Sequence, residues 1–139
     1  MDTYHGTSSK NAANLVKGNV DVNRGGGELG QGFYTGERLY LAKAWAFQIS
    51  GDARQNVVEF SKPDAEVASL TLEVLDHGSA ALKRHHLRRA RATRTFQFGV
   101  DMVWAPIVGT DRIVGDQCKW ESKVAEKLLN GNLCARKIL

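Results

Sequence analysis

The stretch Gly30-Gln31-Gly32-Phe33-Tyr34-Thr35, approached through Gly25-Gly26-Gly27 and followed by a run from Glu37 to Phe47, most limits what this chain can become. Glycine has no Cβ, so the backbone here can bend sharply or let a ligand come close, and Phe33, Tyr34 and Trp45 set flat apolar faces beside it. That combination suits a slot for a planar ring. Gly25 to Gly30 also satisfy the letters of a dinucleotide-binding fingerprint, with Asp52 at roughly the expected distance downstream. Their context argues against it: no apolar strand leads in, and Phe33-Tyr34 follows where a helix should start.

A chain of 139 residues reads as one module over 1–139, too short for a second catalytic domain. No apolar run approaches the roughly 20 residues of a membrane span, so no membrane partner is expected. The start, Met1-Asp2-Thr3-Tyr4-His5, lacks the basic and apolar regions of a secretory leader, and a cytoplasmic location is the expectation. Cys118 and Cys134 make no disulfide framework and lack zinc-ligand spacing; both read as reduced thiols, with no metal expected. The formal charge of +4 matters less than its distribution. Lys83, Arg84, Arg88, Arg89, Arg91 and Arg94 carry six positive charges with no acid among them, while the remainder is slightly acidic.

Tyr4 to Thr7 reads as the end of a short strand, after which Ser8 or Ser9 caps a helix over Lys10 to Lys17 that Gly18 and Asn19 close. Asn19 to Asn23 reads as a brief extended piece, and the glycines that follow as a flexible loop. From about Arg38 to Ser50, Leu39, Ala42, Ala46 and Ile49 repeat near helical spacing, and Gly51 stops them. Val57, Val58 and Phe60, then Leu70, Leu72 and Val74, then Phe96, Phe98, Val100, Met102 and Trp104 read as half-buried strands, the last ended by Pro106. Ser79 to Arg94 reads as a basic helix or lid. A terminal helix starts near Ser122, with Val124, Ala125, Leu128 and Leu129 inward and Asn130-Gly131 as its stop. Helices early and strands late, without βαβ alternation, predict an α+β domain on a split antiparallel sheet.

Three separated motifs, His5-Gly6-Thr7, Gly30-Gln31-Gly32-Phe33-Tyr34-Thr35 and Ala44-Trp45, resemble in order and spacing the signature of ADP-ribosyltransferases of the H-Y-E type. That class includes the poly-ADP-ribose polymerases and diphtheria toxin. The likeness is closest to a bacterial domain family of uncharacterised function within the superfamily, and extends to Asp101 to Ile107 and to Gln117-Cys118-Lys119-Trp120. It implies an α+β, ADP-ribosyltransferase-like split antiparallel β-sandwich with short flanking helices, and NAD as co-substrate. It further implies His5 on the adenosine-side ribose, Gly6 on the nicotinamide carboxamide, Thr7 and Gly32 beside the cofactor, and Tyr34 and Trp45 on either face of the nicotinamide ring.

Each assignment competes with a plainer reading. A histidine at a strand end is commonly a satisfied structural residue, and two aromatics near a helix are commonly core. The third motif departs from the family, which uses a glutamate to steady the oxocarbenium ion formed as nicotinamide leaves; the matching position here is Gln117. An amide can hold a ribose hydroxyl but brings no charge and is no base. On a strand Gln117, Lys119 and Glu121 share one face, so Glu121 is a candidate for the missing carboxylate; alternatively it is an acid at a helix N-terminus beside Ser122. The basic residues Lys83, Arg84, Arg88, Arg89 and Arg91 read as a solvated helix face, a polyanion-binding surface or a dock for an acidic antitoxin or immunity protein.

The expectation is therefore a mono-ADP-ribosyltransferase, by analogy a bacterial toxin or effector, passing ADP-ribose to a nucleic acid or protein acceptor. An NAD glycohydrolase using the same pocket with water is the near alternative. A non-catalytic nucleic-acid-binding module with a degenerate pocket is the more distant one.

Overall fold

The computed structural model describes residues 1–139. In chain order the elements are β1 (Asp2–Gly6), α1 (Ser9–Leu15), β2 (Phe33–Gly36), α2 (Leu39–Ser50), β3 (Val57–Ser61), α3 (Asp64–Ala68), β4 (Leu72–Val74), α4 (His77–Arg89), β5 (Met102–Pro106), β6 (Asp116–Trp120), α5 (Lys123–Asn130) and β7 (Ala135–Ile138). Helices and strands are thus interleaved, a mixed α/β chain, where the sequence suggested helices early and strands late. Two compact units result: Met1–Val20, Thr35–Ser69 and Lys127–Leu139 form the first, Asp21–Tyr34 and Leu70–Glu126 the second. β2 passes from the second unit into the first. No helix is long and apolar enough to cross a membrane.

In the first unit β1 pairs antiparallel with β3 from Asp2↔Ser61 to Gly6↔Val57, and with β2 at Tyr4↔Gly36. β7 adds to the far edge of β3, from Val58↔Ile138 to Ser61↔Ala135. The helix α2 lies over these strands with Ala42, Ala46 and Val57 in its core, packed by Tyr4 and Leu139. Two small residues four apart let the helix come close, and a Cβ on Gly6 would collide with the Ala42 carbonyl. The expected wider apolar face is not buried: Leu39 is 38% and Ile49 52% exposed. Ser8 caps α1 by accepting from the Asn11 N–H, and Gly18, at φ +92°, turns the chain out of it.

Asn19 to Asn23 is not the brief extended piece expected. The Asn130 side chain accepts from the Val20 N–H at 2.8 Å and donates to the Val20 carbonyl at 2.9 Å, taking the backbone bonds a strand partner would have made. The segment Ala135–Ile138, not foreseen as a strand, is held from inside by Arg136. Its guanidinium donates to the carbonyls of Val16, Leu129, Gly131 and Cys134. α3 was likewise not foreseen.

In the second unit β4 pairs parallel with β5, and β5 antiparallel with β6, from Met102↔Trp120 to Pro106↔Asp116. Beyond β6 the order continues to β2. β4 is an edge strand with all three residues exposed, Leu72 by 43% and Val74 by 65%, so its alternation does not mark a half-buried strand. Of the long alternation from Phe96 to Trp104 only Met102 onward is strand. The carboxylate of Glu121 takes the N–H groups of Phe98 and Gly99, and Gly99 has φ +82°, which ends any ladder there. In α5, Ala125 and Leu129 are buried as expected but Val124 is 61% exposed.

Candidate functional site

The glycine-rich loop is pinned, contrary to the flexible loop expected. The Gly27 N–H donates to the Thr93 carbonyl at 3.1 Å and the Gln31 N–H to the Phe96 carbonyl at 2.8 Å. A Cβ on Gly27 would sit 2.9 Å from Tyr34 Cζ, so the glycine is what lets the loop close over the hydroxyl end of that ring. The Tyr34 hydroxyl donates to the Gly30 carbonyl at 2.5 Å and accepts from the Leu29 N–H at 3.0 Å. Its ring packs against the cluster of Leu29, Ala80, Val103 and Ala105. Burial pushes the phenol pKa up, the Leu29 N–H opposes this, and the charges of Glu28 and Glu121 push it further up. Tyr34 is thus a ring held in place through both hydrogen bonds of its hydroxyl.

Gln117 is 8% exposed, and its amide Nε2 donates to Glu28 Oε2 at 3.0 Å and to the Pro106 carbonyl at 3.2 Å. Glu28 also accepts from the Val108 N–H at 3.1 Å and the Gly109 N–H at 2.6 Å. A carboxylate therefore stands in contact with the amide that occupies the third-motif position. Sequence reasoning missed Glu28, which it treated as a spacer in the glycine motif; a lone acid inside a glycine-rich loop was the available signal.

Gln117 and Lys119 do share one face of β6, and the Lys119 ammonium reaches Glu121 at 2.5 Å and the Leu29 carbonyl at 2.7 Å. It also lies 4.8 Å from the centre of the Phe98 ring. Both charged side chains are buried, Lys119 at 0% and Glu121 at 3% exposure. Burial lowers the Lys119 pKa from 10.5, and the hydrogen bond and charge of Glu121 oppose that shift. Glu121 has its oxygens taken by Lys119, Phe98 and Gly99, so its carboxylate is a structural anchor of the 96–100 segment. It also stands immediately before a helix N-terminus: α5 begins at Lys123, and Ser122 Oγ accepts from the Ala125 N–H. Gly32 lies against this pair, its absent Cβ leaving room for Lys119 Cγ.

His5, Gly6, Thr7 and Trp45 belong to the first unit. His5 is half-buried on β1, opposite Val58. Thr7 is buried, its N–H donating to the Asn56 carbonyl at 2.8 Å and its hydroxyl accepting from Asn11 Nδ2 at 3.2 Å. Gly6 is required by the approach of α2, which accounts for a glycine there independently of any ligand. Trp45 stands on α2 with 57% of its surface exposed, a large apolar face open to solvent.

The basic segment is a helix. Asp76 caps α4 by accepting from the Ser79 N–H at 2.7 Å. Lys83 is committed within the unit, its ammonium 4.6 Å from the Phe96 ring centre, while Arg88, Arg89 and Arg91 are exposed. Past the C-cap at Ala90, the Ala92 N–H donates to Leu87 and the Arg91 N–H to Arg88, with Arg91 in the left-handed region at φ +53°. Glycine normally fills that position at low cost. Replacing Arg91 with Gly should therefore stabilise the fold by about 1 kcal/mol, read as a rise in the urea midpoint without a change in slope.

No group of three or more His, Cys, Asp or Glu side chains is placed to hold a metal ion. In comparisons with known proteins, no family model matches the chain and no curated protein matches it.

Proposed function

We propose that this chain is an NAD-dependent mono-ADP-ribosyltransferase, by analogy a bacterial toxin or effector, on an ADP-ribosyltransferase-like fold whose sheet departs from the all-antiparallel expectation by the parallel pairing of β4 with β5. The observation that carries the reading is the antiparallel pairing of β1 with β2 at Tyr4↔Gly36. It makes neighbours of the strand ending in His5-Gly6 and the strand carrying Tyr34-Thr35, as the family resemblance requires.

In the proposed reaction the bond between ribose C1′ and the nicotinamide nitrogen breaks, and its electron pair leaves with nicotinamide. The cationic ribose is then attacked at C1′ by an acceptor nucleophile, which gives up a proton. Negative charge held beside the ribose stabilises the cation, and Glu28, through its contact with Gln117, supplies the charge that the amide lacks. Replacing Glu28 with Gln should slow nicotinamide release by roughly ten- to a hundredfold, the cost of one charge-assisted hydrogen bond. Nicotinamide release measured by chromatography checks this.

The overall test is to incubate the purified protein with tagged NAD and a cell extract, then treat the products with nuclease or protease. Label that follows one of these polymers supports transfer to it. Nicotinamide release without label makes water the acceptor, and neither release nor label overturns the proposal.

A further inference from the structure

A pocket of about 310 Å³ opens in the second unit, floored by Gly26, Gly27 and Glu28 and walled by Arg84, Arg88 and Arg94. Its walls follow from local structure. Arg84 and Arg88 are four residues apart on α4 and so share a face. The left-handed turn at Arg91 reverses the chain, so that Thr93 meets Gly27 and Arg94 crosses Gly26, where a Cβ would lie 2.7 Å from Arg94 Cγ. Arg94 is fixed there by donating to the Arg24 carbonyl at 2.9 Å.

The charge in this pocket is only partly compensated. Three guanidinium groups face one carboxylate, leaving a net +2, and no carboxylate lies in ion-pair range of Arg84 or Arg88. The carboxylate of Glu28 is engaged by Val108, Gly109 and Gln117. The Gly27 N–H is spent on Thr93, so the guanidinium groups are the donors for an anion.

We infer that this pocket binds a phosphate monoester at the end of a nucleic-acid strand. A phosphate monoester carries nearly two negative charges at neutral pH and three acceptor oxygens, which matches a site of net +2 built from planar, bidentate donors. The volume lies at the lower end of small-ligand pockets, enough for a terminal nucleotide. No aromatic side chain lines it, so recognition falls on phosphate and sugar and is independent of base. Outside the pocket Arg89 and Arg91 are exposed and carry the basic surface onward, where a strand's next phosphodiesters would lie. Docking here narrows the acceptor to nucleic acid. The pocket itself does not depend on the NAD reading, and its test uses no NAD.

The test is fluorescence anisotropy of the full chain with short labelled oligonucleotides that end in phosphate or hydroxyl, at one salt concentration. Strands ending in phosphate should bind at least about tenfold more tightly, a difference of roughly 1.4 kcal/mol. Inorganic phosphate should erase that preference. The double variant Arg84→Gln, Arg88→Gln should lose the preference, and Arg89→Gln should weaken both strands alike. Equal binding of the two strands overturns the inference. So does a preference that survives in a double variant melting like the wild type; were that variant unfolded, Arg88→Gln alone, at an exposed position, decides in the same way. A phosphorylated mononucleotide that binds as tightly as the strand overturns the assignment to a strand end.

Discussion

Replacing Lys119 with Met should cost about 3–5 kcal/mol of folding stability, a large share of the roughly 5–15 kcal/mol that holds an ordinary domain folded. The cost comes mainly from Glu121, left charged and 3% exposed with its strongest partner gone, and not from the lost attraction. The Leu29 carbonyl loses its donor as well. Removing both charges, as in Lys119→Met with Glu121→Gln, should recover part of the loss, because the desolvated charge is then absent. Denaturation in urea measures both. A single variant as stable as the wild type would mean that the pair is open to water.

Replacing Gly6 with Ala should be comparably damaging, at about 3 kcal/mol, the upper end of overpacking costs. The added methyl meets the carbonyl of Ala42, part of the backbone of α2, which cannot rotate away as a side chain can. Trimming Ala42 to Gly should therefore give no rescue, since the obstructing atom remains. A wild-type melting temperature in Gly6→Ala would refute this packing. If that variant had also lost NAD binding, Gly6 would be a ligand contact alone.

What was legible in the sequence was what local signals encode. Ser8 and Gly51 mark helix ends by a side-chain acceptor and a left-handed turn, and the structure uses each in that way. Periodicity failed where side chains compete for the backbone. The alternation from Phe96 to Val100 is real, but Glu121 takes the N–H groups that a ladder would have used. The extended reading of Asn19 to Asn23 failed because Asn130, more than a hundred residues away, satisfies the backbone of Val20. No local rule exposes such partners. The same limit hid Glu28, whose contact with Gln117 depends on the glycine loop being fixed against β6. It also made Glu121 look available when it is a buried anchor.

Titration calorimetry of NAD into the wild-type chain and into His5→Ala and Trp45→Ala decides whether this chain holds NAD where proposed. Saturable binding of one NAD per chain is expected, weakened about tenfold or more in each variant while the melting temperature of the free protein stays unchanged. Trp45 is open to solvent and His5 is half-buried at a strand end, so neither replacement should cost much folding stability. Absence of NAD binding in the millimolar range by a folded wild-type chain, or equal affinity in all three proteins, would contradict the proposal.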